Sequence, residues 1–336
     1  MRILVTGGGG FLGGALVRRL VADGHQVRSF ARGDYPELAN QGVEVLRGDL
    51  ANPTAVERAC EGCELVFHVA AKAGIWGPYA QFYSANVVGT QNVVEACRKL
   101  RIPRLIHTSS PSVVLEGRDM NGVDESIPYP KSYRAAYPET KARAERFVLA
   151  SNSDELATVA LRPHLIWGPG DTTFIPRIIA RAHRLKQIGS EDKLVDFSYI
   201  EDVVQSHIDA MERLAPGAAC AGRAYFISQD SPMGTWAFFN RVLEAAGKDP
   251  IQGQVNPRIA YLAGWVCEVI FQALPVLGEP PITRYLAKEL SVAHWFDISA
   301  AKRDLGFQPR FTMEQGFEKL KEWFDQKSGT EEPVSN

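Results

Sequence analysis

The first residues, Met1-Arg-Ile-Leu-Val-Thr6-Gly7-Gly-Gly-Gly-Phe-Leu-Gly13, run from a short apolar strand straight into a cluster of glycines. A stretch with helical spacing over 12–23 follows. Glycines allow a tight turn and close backbone approach, so Gly7-x-x-Gly10-x-x-Gly13 can turn the first amides of a helix toward a pyrophosphate. Glycines also serve merely to turn a chain. Their position between a strand and a helix favours the dinucleotide reading, which makes Gly7, Gly10, Phe11, Leu12 and Gly13 candidate cofactor contacts.

Working outward, short apolar runs at 3–6, 26–30, 43–46, 65–69, 104–108 and 158–162 alternate with helical stretches at 12–23, 53–60, 81–100 and 134–151. Asn52-Pro53 is a capping residue followed by a first-turn proline. Continuous apolar strands alternating with helices specify a parallel sheet covered on both faces. A further strand at 223–228 extends it at one edge. The expected fold is therefore α/β, a doubly wound parallel sheet of the Rossmann kind. A smaller, mostly helical substrate-binding region follows it, with helical pieces at 175–184, 233–246 and 313–323. The expected division is a dinucleotide-binding domain over 1–170 and a substrate region over 171–326, of which 196–230 packs back on the first. Residues 327–336 read as a flexible tail.

Composition narrows the function classes. With 37 basic and 39 acidic residues the net charge is −2, too balanced for a nucleic-acid surface, which needs a basic excess. Five scattered cysteines suit free thiols in a reducing compartment. The apolar run at 3–6 is too short for a secretory signal, so a cytoplasmic location is expected. His68, His107 and His164 lie at strand ends without an acidic cluster, so no metal is expected.

The end of the second strand addresses the choice of cofactor. An NAD enzyme usually carries an acidic residue there to hold the adenosine ribose. This chain reads Ser29-Phe30-Ala31-Arg32-Gly33, with no carboxylate before Asp34. Arg32 offers a guanidinium to a ribose 2′-phosphate, with Ser29 as an accessory hydroxyl, and NADP(H) is the expected cofactor. The competing reading has Arg32 solvated and Asp34 on the ribose. Asp49 and Leu50 follow the third strand and flank the adenine. Ala70 and Ala71 follow the fourth and leave room for the dinucleotide.

Tyr137-Pro-Glu-Thr-Lys141 places a phenol and an ammonium four apart, on one face of a helix. A nearby cation favours tyrosinate, so the Tyr137 pKa is expected to fall. Pro138 fits if it lies in the first turn. Thr108-Ser109-Ser110 ends the fifth strand, where a hydroxyl can meet a substrate carbonyl.

These motifs together resemble the extended short-chain dehydrogenase/reductase family, from Met1 to about Trp323. The matching pieces are the glycine loop, Asp49-Leu50, Ala70-Ala71, Asn86-Val-Val-Gly-Thr90, Thr108-Ser-Ser110, Tyr137-x-x-x-Lys141 and Arg162-Pro163 before Trp167-Gly168-Pro169. Within it the chain looks like the 3β-hydroxysteroid dehydrogenase-like branch. Ala70–Gly77, Leu161–Asp171 and Gly278–Arg284 are similar to the ketoreductases of bacterial long-chain olefin biosynthesis. The resemblance implies NADPH-dependent reduction of the 3-keto group of a long-chain 2-alkyl-3-oxoalkanoic acid to the 3-hydroxy acid. It implies Tyr137 as general acid and Lys141 as holder of the nicotinamide ribose. Ser110 becomes the catalytic hydroxyl, with Ser109 as runner-up, Asn86 in support and Pro163 beside the nicotinamide. It also implies a homodimer packed through 81–100 and 134–151, and assembly with other pathway enzymes. The rival readings are a 3β-hydroxysteroid or sterol dehydrogenase, a nucleotide-sugar epimerase, and a non-catalytic dinucleotide sensor that would not need Tyr137 and Lys141.

Residues 259–277 form the most apolar stretch of the second half, interrupted by Glu268 and Gln272 and ended by Pro275. A lid or core helix is the preferred reading, with peripheral membrane contact as the alternative. Trp76, Tyr79, Phe82 and Trp167 are expected around the cleft, where they suit an acyl chain. Lys72 faces a substrate carboxylate or only solvent.

Overall fold

Seven strands form one parallel sheet: β1 (Arg2–Thr6), β2 (Gln26–Ala31), β3 (Glu44–Arg47), β4 (Leu65–His68), β5 (Arg104–Thr108), β6 (Ala157–Pro163) and β7 (Arg223–Ile227). The computed structural model describes residues 1–274, 276 and 278–330. The order across the sheet is β7-β6-β5-β4-β1-β2-β3. The chain builds outward from β1 to β3, returns to lay β4 beside β1, and builds outward again to β7. The carboxyl ends of β1 and β4 thus diverge at the switch of direction, where such sheets open a crevice.

Both sheet faces are covered, which is why the central strands carry apolar side chains on either side. On one face α1 (Phe11–Ala22) packs Leu16, Val17 and Leu20 into a core that includes Val204 and Ile208. On the other, Val56 and Cys60 meet Val93, Val94 and Cys97 of α2 (Gly89–Lys99) and Val148 of α3 (Ala136–Ala150). Helix Pro53–Cys60 starts as its sequence indicates: Asn52 Oδ1 accepts from the Ala55 amide at 3.1 Å, with Pro53 in the first turn. In α3, Pro138 is the third helical residue, where its missing N–H breaks no bond.

The two expected regions exchange segments. α4 (Ile200–Arg213) packs on α1, and β7 pairs with β6. Conversely, Met120–Val123 leaves the first half for a second sheet, ordered Met233–Gly234, Leu194–Val195, His294–Phe296, Met120–Val123. The helix expected over 81–100 is three consecutive pieces, Tyr79–Phe82, a π-helical Tyr83–Val88, and α2. The widened segment carries Asn86, which is clamped to the loop after β4: Lys72 N donates to its Oδ1 at 2.7 Å, and its Nδ2 donates to Lys72 O at 3.1 Å. The final helix, Met313–Thr330, includes the first four residues of the expected tail, and 331–336 lie outside the described residues.

One buried ion pair joins α3 to the sheet. Arg162 Nε and Nη2 donate to Glu145 Oε2 and Oε1 at 2.9 and 2.7 Å, and the Tyr129 hydroxyl donates to Oε1 at 2.6 Å. Neither residue is more than 3% exposed. Removing one partner strands the other charge away from water. Glu145→Ala is therefore expected to cost about 3–5 kcal/mol in urea unfolding. A loss below about 1 kcal/mol would show that water reaches Arg162.

Candidate active site

The glycine loop closes against the end of β4. Gly7 holds φ +74°, and a Cβ there would stand 2.9 Å from Ala70 Cα; one on Gly13 would stand 2.1 Å from the Gly7 carbonyl oxygen. Only glycine fits this approach. α1 begins at Phe11 and no side chain caps it, so the amides of Phe11, Leu12 and Gly13 are left to a ligand. Backbone donors at the positive end of a helix suit a pyrophosphate. Gly7, Gly10, Phe11, Leu12, Gly13, Arg32, Asp49, Leu50, Ala70, Ser110, Tyr137, Lys141 and Pro163 line one cavity of about 1130 Å³, whereas Ser29, Asp34 and Asn86 do not line it.

At the end of the cavity beside β2, Arg32 is exposed and makes no ion pair among the described residues. Its carbonyl accepts from Arg47 Nε at 2.9 Å, which brings a second guanidinium alongside. Sequence reasoning passed over Arg47, although the parallel pairing of Ala31 with Arg47 follows from adjacent strands. It also missed Tyr35, whose ring lies over the loop so closely that a Cβ on Gly9 would meet it at 2.1 Å. Ser29 does not face the crevice. Its Oγ is buried beneath Gly8 without a hydrogen-bond partner.

At the other end α3 aims Tyr137 into the cavity, and the Ser110 hydroxyl is its hydrogen-bond neighbour. Ser110 also caps the turn that follows β5, accepting from the Ser112 amide at 3.2 Å. Ser109 turns the other way, toward Glu145. Consecutive residues leaving a strand point to opposite sides.

The expected lowering of the Tyr137 pKa does not occur here. Desolvation raises it and the Ser110 bond opposes this only in part. Lys141 does not offset this: its Nζ donates to Thr108 O at 2.6 Å and lies 3.4 Å from His107 Nε2. Burial pushes Lys141 itself down to about 8 against the pull of Glu145.

Desolvation also keeps the surrounding histidines neutral. His68, pushed down to about 3, bridges Thr6 Oγ1 at 2.8 Å and Thr90 Oγ1 at 2.9 Å. His207, pushed down to about 4, donates from Nδ1 to Val203 O at 2.7 Å and accepts from Thr108 Oγ1 at 2.8 Å. Among the described residues no three or more His, Cys, Asp or Glu side chains are grouped to hold a metal ion.

The far wall is mainly apolar, built by Phe174, Ile178, Leu185, Val195, Phe239 and Leu290, with Arg177 and Arg181 also in the lining. Two further polar residues, Tyr285 and Glu289, were not anticipated. With α5 at Pro257–Ala273 and α6 at Arg284–Glu289, Tyr285 and Glu289 of α6 enter the cavity, and burial raises Glu289 to about 7. The aromatic expectations divide. Trp167 is fully buried against Tyr199, Phe238 and Phe317 rather than in the cleft. Trp76 and Phe82 line a smaller cavity of about 390 Å³ beside the first. Tyr79 is exposed and donates to Glu139 at 3.0 Å. Lys72 lies 5.1 Å above the Phe82 ring.

The pattern of the 3-beta hydroxysteroid dehydrogenase/isomerase family matches residues 4–255. A 2-alkyl-3-oxoalkanoate reductase of Stenotrophomonas maltophilia (strain K279a) is 48% identical over 329 residues, covering 96% of this chain and 98% of that protein. One from Shewanella oneidensis is 44% identical, covering 94% and 84%. A 3-beta-hydroxysteroid dehydrogenase of Mycolicibacterium neoaurum is 35% identical, covering 94% and 88%. Among solved structures, MoeE5 in complex with UDP-glucuronic acid and NAD superposes with a TM-score of 0.74 at 25% identity, over 97% of this chain and 100% of that one. Sheet, crevice and sequence agree, and the chain is an oxidoreductase that belongs to the 3-beta hydroxysteroid dehydrogenase/isomerase family.

Proposed function

We propose that this chain is an NADPH-dependent ketoreductase. Its substrate is a long-chain 2-alkyl-3-oxoalkanoic acid, reduced at the 3-keto group to the 3-hydroxy acid on the way to olefin hydrocarbons. The observation that carries the reading is the pairing of Tyr137 and Ser110 at the junction of a dinucleotide crevice with an apolar-walled chamber. Relatives named for this reaction at 48% and 44% identity support it.

A reduced nicotinamide, when bound, supplies hydride to the carbonyl carbon. The remaining work falls to this chain. Ser110 and Tyr137 hydrogen-bond the carbonyl oxygen, and Tyr137 gives it the phenolic proton as negative charge develops. The raised Tyr137 pKa suits that role, since an acid must enter the step protonated. Lys141 holds the nicotinamide ribose, and Pro163 borders the ring. Arg32, with Arg47 and Tyr35 around it, receives the adenosine 2′-phosphate; bidentate guanidinium contacts fit that group. The apolar wall accepts the acyl chain. The same proposal includes a cytoplasmic homodimer packed through the helices at 81–100 and 134–151, able to dock to enzymes of the same route.

The test is nicotinamide absorbance with NADP⁺ and a long-chain 2-alkyl-3-hydroxy acid, with NAD⁺ in parallel. A rise with NADP⁺ is expected; turnover confined to a 3β-hydroxysteroid would overturn the substrate assignment. Tyr137→Phe should keep dinucleotide binding and lose turnover by about 10²–10⁴-fold. Arg32→Ala should weaken NADPH binding by about ten- to a hundredfold and spare NADH, whereas equal losses would reassign Arg32. Lys141 adds a stability signature. Its pKa is about 8 folded and about 10.5 unfolded, so between those values the unfolded chain binds more protons and stability rises with pH. The cofactor-free Lys141→Met variant should therefore gain on the wild type at pH 7, with that difference shrinking by roughly 3 kcal/mol toward pH 10.5. A pH-independent difference would mean the ammonium is solvated.

A further inference from the structure

The largest unpartnered apolar surface lies away from the cavity. Nine of the twelve large hydrophobic side chains that stand exposed among the described residues fall between Ile259 and Val276, on or just after α5. The expected core helix is thus anchored by a narrow inner stripe only. Ala260, Gly264 and Glu268 face inward. A Cβ on Gly264 would stand 2.6 Å from the Thr283 carbonyl carbon, so the two backbones touch. Glu268 Oε1 accepts from the Arg284 amide at 2.7 Å and Oε2 from Arg284 Nε at 2.6 Å. The outward face carries Ile259, Leu262, Val266 and Val269, spaced three, four and three apart, followed by Ile270, with Trp265 47% exposed among them. An ordinary surface helix has the opposite arrangement, charge outward and apolar residues inward. No helix among the described residues is long and apolar enough to cross a membrane.

Exposed cations without an ion-pair partner among the described residues flank one end of this face. The strand Gln187–Ile188 pairs with Gln254–Val255, which leads directly into α5, so Lys186 and Arg258 flank its amino end with Arg184 close by. All three are exposed and form no ion pair among the described residues. The segments 172–190 and 250–267 contain no acidic residue. We propose that α5 docks this protein on an anionic lipid surface, its apolar face among the acyl chains and these three cations at the headgroups.

The adjoining cavity favours lipid over a second copy of the chain. Tyr261, Glu268 and Gln272 on the flank of α5 wall the smaller cavity, which shares Ile75 and Tyr285 with the main one. A second copy seated there would cover that opening, and its own α5, lacking an acid before Glu268, would leave the cations uncompensated. A lipid surface supplies counter-charge and presents a long-chain substrate at the opening. That last point rests on the proposed substrate; the docking does not.

The experiment is sedimentation of the full chain with vesicles of phosphatidylcholine, with and without about a quarter phosphatidylglycerol. Strong binding to the anionic vesicles is expected, weakened by high salt. Leu262→Ser/Val266→Ser should reduce it at least tenfold with an unchanged urea midpoint. Lys186→Glu/Arg258→Glu should abolish the preference for phosphatidylglycerol. Turnover of a short-chain, water-soluble 3-oxo acid without vesicles should be equal in wild type and Leu262→Ser/Val266→Ser, which separates a failure of docking from a failure of the catalytic reading. Equal sedimentation of wild type and the serine variant overturns the proposal. So does a concentration-dependent dimer that the same serines dissociate, with no vesicle binding, since it assigns the face to a second copy.

Discussion

Lys141, a lysine only 2% exposed, sets the terms for the candidate active site. Lys141 cannot be hydrated where it lies, so its charge must be met by the fold. Thr108 O accepts from it at 2.6 Å, and Glu145, one turn further along α3, is the carboxylate that sustains it. Glu145 is itself gripped by Arg162 from β6. The result is a chain of contacts from β6 through α3 to the end of β5. That chain fixes the first turn of α3, and with it Tyr137, against the turn capped by Ser110. Loss of either charge would free α3 to shift, and the phenol with it.

The same desolvation gives the site its protonation pattern. Burial favours the uncharged form of every group, so Tyr137 keeps its proton while His68, His107 and His207 stay neutral. Lys141, a cation of this interior like Arg162, is held near the pH where it could lose its charge. A protonated phenol beside a hydroxyl is able to donate, and Tyr285 and Glu289 share its cavity. In the proposed reduction the carbonyl oxygen must gain such a proton.

The sheet and crevice were legible in the sequence because their signals are local. A strand buried on both faces is a continuous apolar run, and Gly7, Gly10 and Gly13 announce a close approach wherever they follow one. What depended on packing between distant residues was not. The direction of Lys141 is set by a carbonyl 33 residues earlier, which a spacing of four could not reveal. Trp167 is aromatic and beside a glycine, as a cleft residue would be, but Gly316 lets it seat in the core. Ser109 and Ser110 differ by one position, and only the side to which each leaves β5 separates them. The π-helical turn around Asn86 has no local sequence signature, since it arises from the clamp on Lys72.

The apolar stretch after residue 257 exposes a deeper limit of such reading. Apolar composition says that a segment avoids water; it does not say what it meets instead. Here the deciding residues are the few that are not apolar: Glu268, tied to Arg284, and Gly264, pressed on Thr283, fix which side of α5 faces the protein. Once that side is fixed, helical geometry sends Leu262, Val266 and Val269 outward, away from the core. Burying those side chains inward would require rotating α5 and pulling Glu268 out of its ion pair, leaving a carboxylate against hydrocarbon. That cost holds the apolar face open beside the smaller cavity, whatever comes to cover it.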